Sequence, residues 1–288
     1  MSWTHAKPLN NFQHTNTSPQ KYSNPVHKPI EIYVFIDPFC SECWSLQPYL
    51  LKLYLEYGHL FTFRTILSCH LKVLNESHIE QNHKSSYPTN MYSWIPLAIK
   101  AAELQGKNAG KNFLRQLQEY YFLRKMDVID KQLIIQCAED ANLDVQEFKN
   151  DICSATTSKA LQCDLAIIKE MEVQSTPTFV FFNQAAVDEQ GIKVSGIYSY
   201  DIYVSILEEM MHTDIDPVEK PSLEDFLAHY KIAGTKELSI IYDWSIADTL
   251  RQLKKLQMMQ KVKCIPDCYD DVWKYIKEER KTQSALTD

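Results

Sequence analysis

Cys40 and Cys43 stand two residues apart in the run Asp37-Pro38-Phe39-Cys40-Ser41-Glu42-Cys43-Trp44. Thiols at that spacing can exchange with a disulfide: one attacks as a thiolate, and the other resolves the mixed disulfide. A helix N-terminus, with free N–H groups and a positive dipole end, stabilises such a thiolate. The motif therefore calls for a strand before Cys40 and a helix starting at it. The charge pattern is less favourable. Glu42 sets a negative charge between the thiols, and no Lys or His adjoins them, which disfavours ionisation. Three readings stand side by side: a redox catalyst, a reversible regulatory pair, and a vestige of a redox ancestor.

The flanking sequence supplies the required elements. Residues 30–36, IEIYVFI, are β-branched and aromatic, as in a buried strand. Pro38 has no N–H to continue a ladder. Leu46, Leu50, Leu53 and Tyr57 then fall on one helix face, and Gly58 suits its end. Residues 61–67, FTFRTIL, read as a second strand parallel to the first. Helical apolar spacing fills about 91–172, with Gly106, Gly110, the stretch near Asp127 and Asn142 as breaks or caps. Residues 178–182 and 192–196 are two more strands, and 200–210 an amphipathic helix. The order β-α-β, helical block, β-β-α is that of a thioredoxin-like α/β fold with a helical insertion before the third strand. In that fold, the proline of Ser175-Thr176-Pro177 is cis and faces the cysteine pair; proline is the residue type for which a cis bond costs little.

Phe39, Trp44 and Tyr49 flank the motif. They form either a docking surface, since aromatics dominate binding hot spots, or packing against the insertion. Among the other cysteines, Cys137 and Cys163 lie on apolar helix faces and read as small core residues, as do Cys69 and Cys153 near element ends. The residues call for no cofactor. The one metal alternative is a four-thiolate zinc site of Cys40, Cys43, Cys264 and Cys268. His5, His14 and His27 are too irregularly spaced for a ligand set.

The chain has 288 residues, enough for one large or two modest domains, and its 45% hydrophobic content suits a core without staples. A net charge of −7 and the lack of a basic block argue against nucleic acid as a partner. No apolar run is long enough to span a membrane. The polar first residues lack a secretory h-region, so the expected location is cytoplasmic and the eight cysteines are expected as thiols.

Residues 1–29 read as a disordered arm, 30–212 as the thioredoxin-like domain, and 213–221 as a linker. Within 222–288, helical patterns at 222–231, 235–243 and 245–260 precede a hairpin at 261–276, turning at Pro266-Asp267. That is the order of a small winged-helix-like domain. Its 13 acidic and 12 basic residues over 216–288, and Asp248 beside Arg251, Lys254 and Lys255 on the third helix, favour protein docking or packing over DNA reading.

Several stretches then resemble one family in order. They are residues 30–44 (IEIYVFIDPFCSECW), 101–107 (AAELQGK), 160–164 (ALQCD), 177–182 (PTFVFF), 191–200 (GIKVSGIYSY) and 253–256 (LKKL). Together they resemble the SpxH/YjbH family of Spx-degradation adapters of Gram-positive bacteria, over about residues 30–276. The resemblance implies a DsbA-like first domain and a cytosolic adapter rather than an enzyme. Its implied partner is Spx, a small transcriptional regulator, which it hands to the ClpXP protease in unstressed cells. Members of the family differ in whether both motif cysteines are present; this chain keeps both.

Overall fold

A computed structural model describes residues 4–6, 28–68, 91–126, 128, 130–184, 191–265 and 271–276. The chain divides into two compact units, Met1–Gln47 with Tyr57–Asp216, and Pro48–Glu56 with Pro217–Asp288.

The first unit is built on a five-stranded sheet of β1 (Thr4–Ala6), β2 (Ile30–Ile36), β3 (Phe61–Leu67), β4 (Thr178–Asn183) and β5 (Gly191–Ser195), in the order β1-β5-β4-β2-β3. β2 pairs parallel with β3, Ile30 opposite Phe61, and antiparallel with β4, Ile32 opposite Phe181. β2 is the middle strand of that trio and is buried at every residue but Glu31. That position suits a β-branched and aromatic run without polar alternation. Tyr33, Phe35, Ile66 and Val180 pack with Ile167, Ile168, Met171 and Val173 into one core layer.

The arm expected to be disordered contributes β1, which pairs antiparallel with β5, His5 opposite Ile192. Edge pairing runs through backbone N–H and C=O groups, so the lack of aliphatic residues that suggested disorder does not forbid it. The linking helix α1 (Ser41–Tyr57) follows β2. Between β3 and β4 stand α2 (Met91–Leu104), α3 (Lys107–Gln118), a π-helical turn (Glu119–Leu123), α4 (Lys131–Asp140), α5 (Val145–Ile152) and α6 (Ala155–Glu170). The Asp130, Asp144 and Ser154 side chains accept from the first free N–H groups of α4, α5 and α6; each cap is worth about 1 kcal/mol. Gly106 does break the helical run, at φ 129, a conformation only glycine adopts readily. Gly110 does not. It lies inside α3, where a Cβ would collide with the Glu103 side chain, so it serves close helix packing. Helix α7 (Tyr200–Met211) completes the unit.

The second unit holds α8 (Leu223–Tyr230), β6 (Ile232–Gly234), α9 (Thr235–Tyr242), α10 (Ile246–Met258), β7 (Val262–Ile265) and β8 (Val272–Tyr275). Its antiparallel sheet has the order β6-β8-β7. The sequence indicates the hairpin; its turn at Pro266-Asp267 falls outside the described residues. β6 has no three-residue signature that periodicity can detect. Leu223, Phe226, Leu227, Leu238, Ile241 and Leu253 form the core with Val262 and Trp273.

The expected boundary at 213–221 is not the whole division, because residues 48–56 of α1 group with the second unit. Leu51 and Leu55 pack on its core. Lys220 Nζ lies 2.8 Å from both Glu56 and Asp243 carboxylates, and the Val218 N–H donates to the Glu56 carbonyl at 2.9 Å. The division falls at Pro48, which has no N–H to donate back to the preceding helical turn. Among the described residues, no helix is long and apolar enough to cross a membrane.

Candidate functional site

β2 delivers the motif to its end, and Asp37 turns it. The Asp37 Oδ1 accepts from the Phe39 N–H at 2.9 Å, and its carbonyl accepts from the Cys40 N–H at 3.1 Å. Cys40 precedes Ser41, the first residue of α1, and its carbonyl accepts the Trp44 N–H at 3.0 Å. Cys40 is thus at the helix N-terminus and partly exposed, whereas Cys43, one turn in, is 1% exposed.

The Thr176–Pro177 peptide is cis, and its loop reaches the pair. Burial pushes the Cys43 thiol from an ordinary 9.0 up to about 12; Cys40 adds to the rise, while hydrogen bonds from the Asp37 backbone and the Thr176 side chain oppose it. Pro177 is buried, and its carbonyl accepts from Gly196 N–H at 2.8 Å. The Thr178 hydroxyl donates to the Ser175 carbonyl at 2.8 Å. Thr176, next to the cis proline, thus lies close enough to Cys43 to influence its thiol. Thr176 is the partner that sequence reasoning passed over: its position before the proline is visible, but its contact with Cys43 is tertiary.

Two consequences are measurable. Cys43 is buried with its thiol pushed up, whereas Cys40 is partly exposed, so iodoacetamide should modify Cys40 well before Cys43; equal labelling by mass spectrometry would contradict this. The folded-state value also lies above the ordinary 9.0. The stabilisation from a protonated Cys43 is then complete below pH 9 and lost as pH rises toward 12. Urea titrations of Cys43→Ala beside the unaltered chain should show a shallower decline over that window.

The family-model comparison agrees with this architecture. A family model described as Thioredoxin matches residues 33–205. Oxidoreductase DsbA from Xylella fastidiosa superposes with a TM-score of 0.48 at 12% identity, over 66% of this chain and 90% of that one. The ClpXP adapter protein SpxH of Bacillus cereus is 41% identical over 88% of this chain and 93% of its own length, and that of Bacillus subtilis is 38% identical over 92% and 95%. The chain belongs to the SpxH family.

In this SpxH-family chain the motif aromatics pack against the insertion. Trp44 stacks on Phe122 at 5.2 Å and 11°, and Phe39 meets Tyr121 edge-on at 4.8 Å. Both partners come from the π-helical turn, a local widening of the helix that often marks functional sites. The Gln118 side chain fastens the turn by donating to the Pro38 carbonyl at 3.2 Å. Tyr49 is partly buried and belongs to the stretch of α1 grouped with the second unit.

The other cysteines divide differently from expectation. Cys137 is buried, and burial pushes its thiol up. Cys163 and Cys153 are exposed rather than core. Cys163 sits off the Leu161–Leu165–Ile168 face of α6, and Cys153 follows α5. Of the zinc alternative, Cys264 lies on β7, whereas Cys268, like Cys69, His14 and His27, is outside the described residues.

Proposed function

We propose that the chain is a cytoplasmic adapter that binds the regulator Spx and promotes its degradation by ClpXP, without carrying out a chemical step itself. The observation that carries this reading is the likeness to SpxH proteins over 88% of the chain and 93% of the relative. The charge pattern supports it: Glu42 stands between the cysteines and disfavours a thiolate there. Adapter action requires only differential binding, favouring a Spx state that the protease engages.

The test measures Spx loss by purified ClpXP alone, with this chain, and with its Cys40→Ser/Cys43→Ser variant. The chain should accelerate loss by about fivefold or more, and the variant should match it. No acceleration by the unaltered chain would overturn the reading. The second reading is a thiol–disulfide oxidoreductase, favoured by the partly exposed Cys40 at a helix N-terminus. It requires insulin disulfide reduction, with dithiothreitol as reductant, that disappears in the same variant.

A further inference from the structure

The second unit holds a surface cleft of about 590 Å³, and every residue that lines it belongs to that unit. Sites of this size take a drug-sized ligand or a few residues of extended peptide. Pro217, Val218 and Pro221 line it from the stretch before α8, and Tyr242 and Trp244 from the end of α9 and just beyond. The two rings stack at 4.7 Å and 26°. The Tyr242 hydroxyl donates to the Pro221 carbonyl at 3.0 Å, which fastens one wall to the other. Trp244 is only partly buried, and Val218 is 52% exposed.

The charged residues lining the cleft are Glu56, Glu219 and Lys220. Lys220 Nζ meets the Glu56 and Asp243 carboxylates, and Asp243 also meets Lys52, so these two acids and two cations balance. Glu219 is left over. It is exposed and, among the described residues, has no ion-pair or hydrogen-bond partner. Asp225, whose carboxylate accepts from the Ser222 hydroxyl, adds a further negative charge near Tyr242. The basic residues of α10, Arg251, Lys254 and Lys255, do not line the cleft. A free surface carboxylate alone implies nothing, but this one is held in place. On one side of it the Val218 N–H donates to the Glu56 carbonyl at 2.9 Å, and on the other Lys220 is tied into the ion network. The Trp244 indole N–H and the Gln252 side-chain amide, on the same cleft, are also without a hydrogen-bond partner among the described residues.

We infer that this cleft binds an arginine side chain of an extended protein segment, with the guanidinium stacked on Trp244 and donating to Glu219. A guanidinium is planar, stacks on an indole face and carries a fork of donors that suits a carboxylate. Apolar residues beside that arginine rest on Pro217, Val218 and Pro221. The indole N–H and the Gln252 amide answer the backbone carbonyls of the segment. Lysine offers no flat face for stacking. A phosphate would meet an unpaired carboxylate and a lysine already engaged twice.

The probe is the acetylated, amidated peptide Leu-Pro-Arg-Pro-Leu, titrated into the full chain carrying fluorotryptophan at its five tryptophans. Fluorine NMR of Trp244→Phe and Trp273→Phe assigns those two signals. The arginine peptide should shift the Trp244 signal and leave that of Trp273, buried in the core of the same unit, in place. Citrulline in place of arginine keeps the size and removes the charge, and should weaken binding by about tenfold or more. Glu219→Gln should weaken the arginine peptide by about the same factor and leave the citrulline peptide unchanged. Thermal melting checks that the variant is folded. An unmoved Trp244 signal, equal affinity for the two peptides, or an unaltered affinity in Glu219→Gln would overturn the inference. So would a glutamate-for-arginine peptide or a duplex DNA that shifts the Trp244 signal more strongly.

Discussion

Lys100→Met should destabilise the first unit by about 3–5 kcal/mol, the cost of leaving a buried charge without its partner. Lys100 is buried on α2, and its Nζ lies 2.7 Å from Asp164 and 2.8 Å from Glu103. Burial pulls the ammonium's pKa down, but Asp164 and Glu103 outweigh it and hold Lys100 above its ordinary value. Asp164, on α6, is equally enclosed, and its Oδ2 also accepts the Leu67 N–H at the end of β3 at 2.9 Å. One carboxylate thus ties a strand end to two helices of the insertion. Methionine fills the space but leaves Asp164 charged and short of a counter-ion. Asp164→Asn in the same chain removes that charge and keeps an acceptor for Leu67, so the double variant should recover part of the loss. Urea unfolding of the two single variants and the double variant measures the coupling. Strictly additive losses would mean that the two groups do not act as a pair.

Trp273→Ala should cost the second unit a similar amount, about 3–5 kcal/mol. Trp273 is 3% exposed on the central strand β8, opposite Ala233 and Cys264. A unit this small has little apolar surface to spare, so one large side chain is a considerable share of its stability. Its Nε1 donates to the buried Thr235 hydroxyl at 3.0 Å, which in turn donates to the Asp271 carbonyl at 2.9 Å. Trp273→Phe keeps most of the packing and loses only the first of these bonds, at about 1 kcal/mol. Circular dichroism across a denaturant series should rank alanine well below phenylalanine. Equal losses would place the energy in the hydrogen bond instead of the packing.

Much of the site is local chemistry and can be read from the chain. A β-branched run stopped by Pro38 must end where β2 ends, and Cys-x-x-Cys opening an amphipathic stretch must sit at a helix start. The β-α-β, helices, β-β-α order leaves few ways to assemble a sheet, and the cis Thr176–Pro177 peptide falls where that fold needs it. Each of these depends on residues close in sequence, whose backbone preferences act before any long-range contact forms.

What escaped the sequence depends on partners far along the chain. The pairing of β1 with β5 is a meeting of backbones almost two hundred residues apart, and backbone hydrogen bonds carry no side-chain signature. The three residues of β6 are too few to show a period. Gly110 looks like a helix break until Glu103 is seen packed against it, and Cys163 looks like core until its angle on α6 turns it outward. The stacking of Trp44 on Phe122 requires the π-helical turn, and the raised Cys43 thiol requires burial. Sequence by itself determined most of the elements and their order, though not β1, β6 or the π-helical turn, together with the redox-type motif, because these follow from local stereochemistry and hydrophobic period. Tertiary structure alone decided which faces are buried, which aromatics meet and which thiol is accessible, because burial and contact belong to the packed chain and to no residue within it.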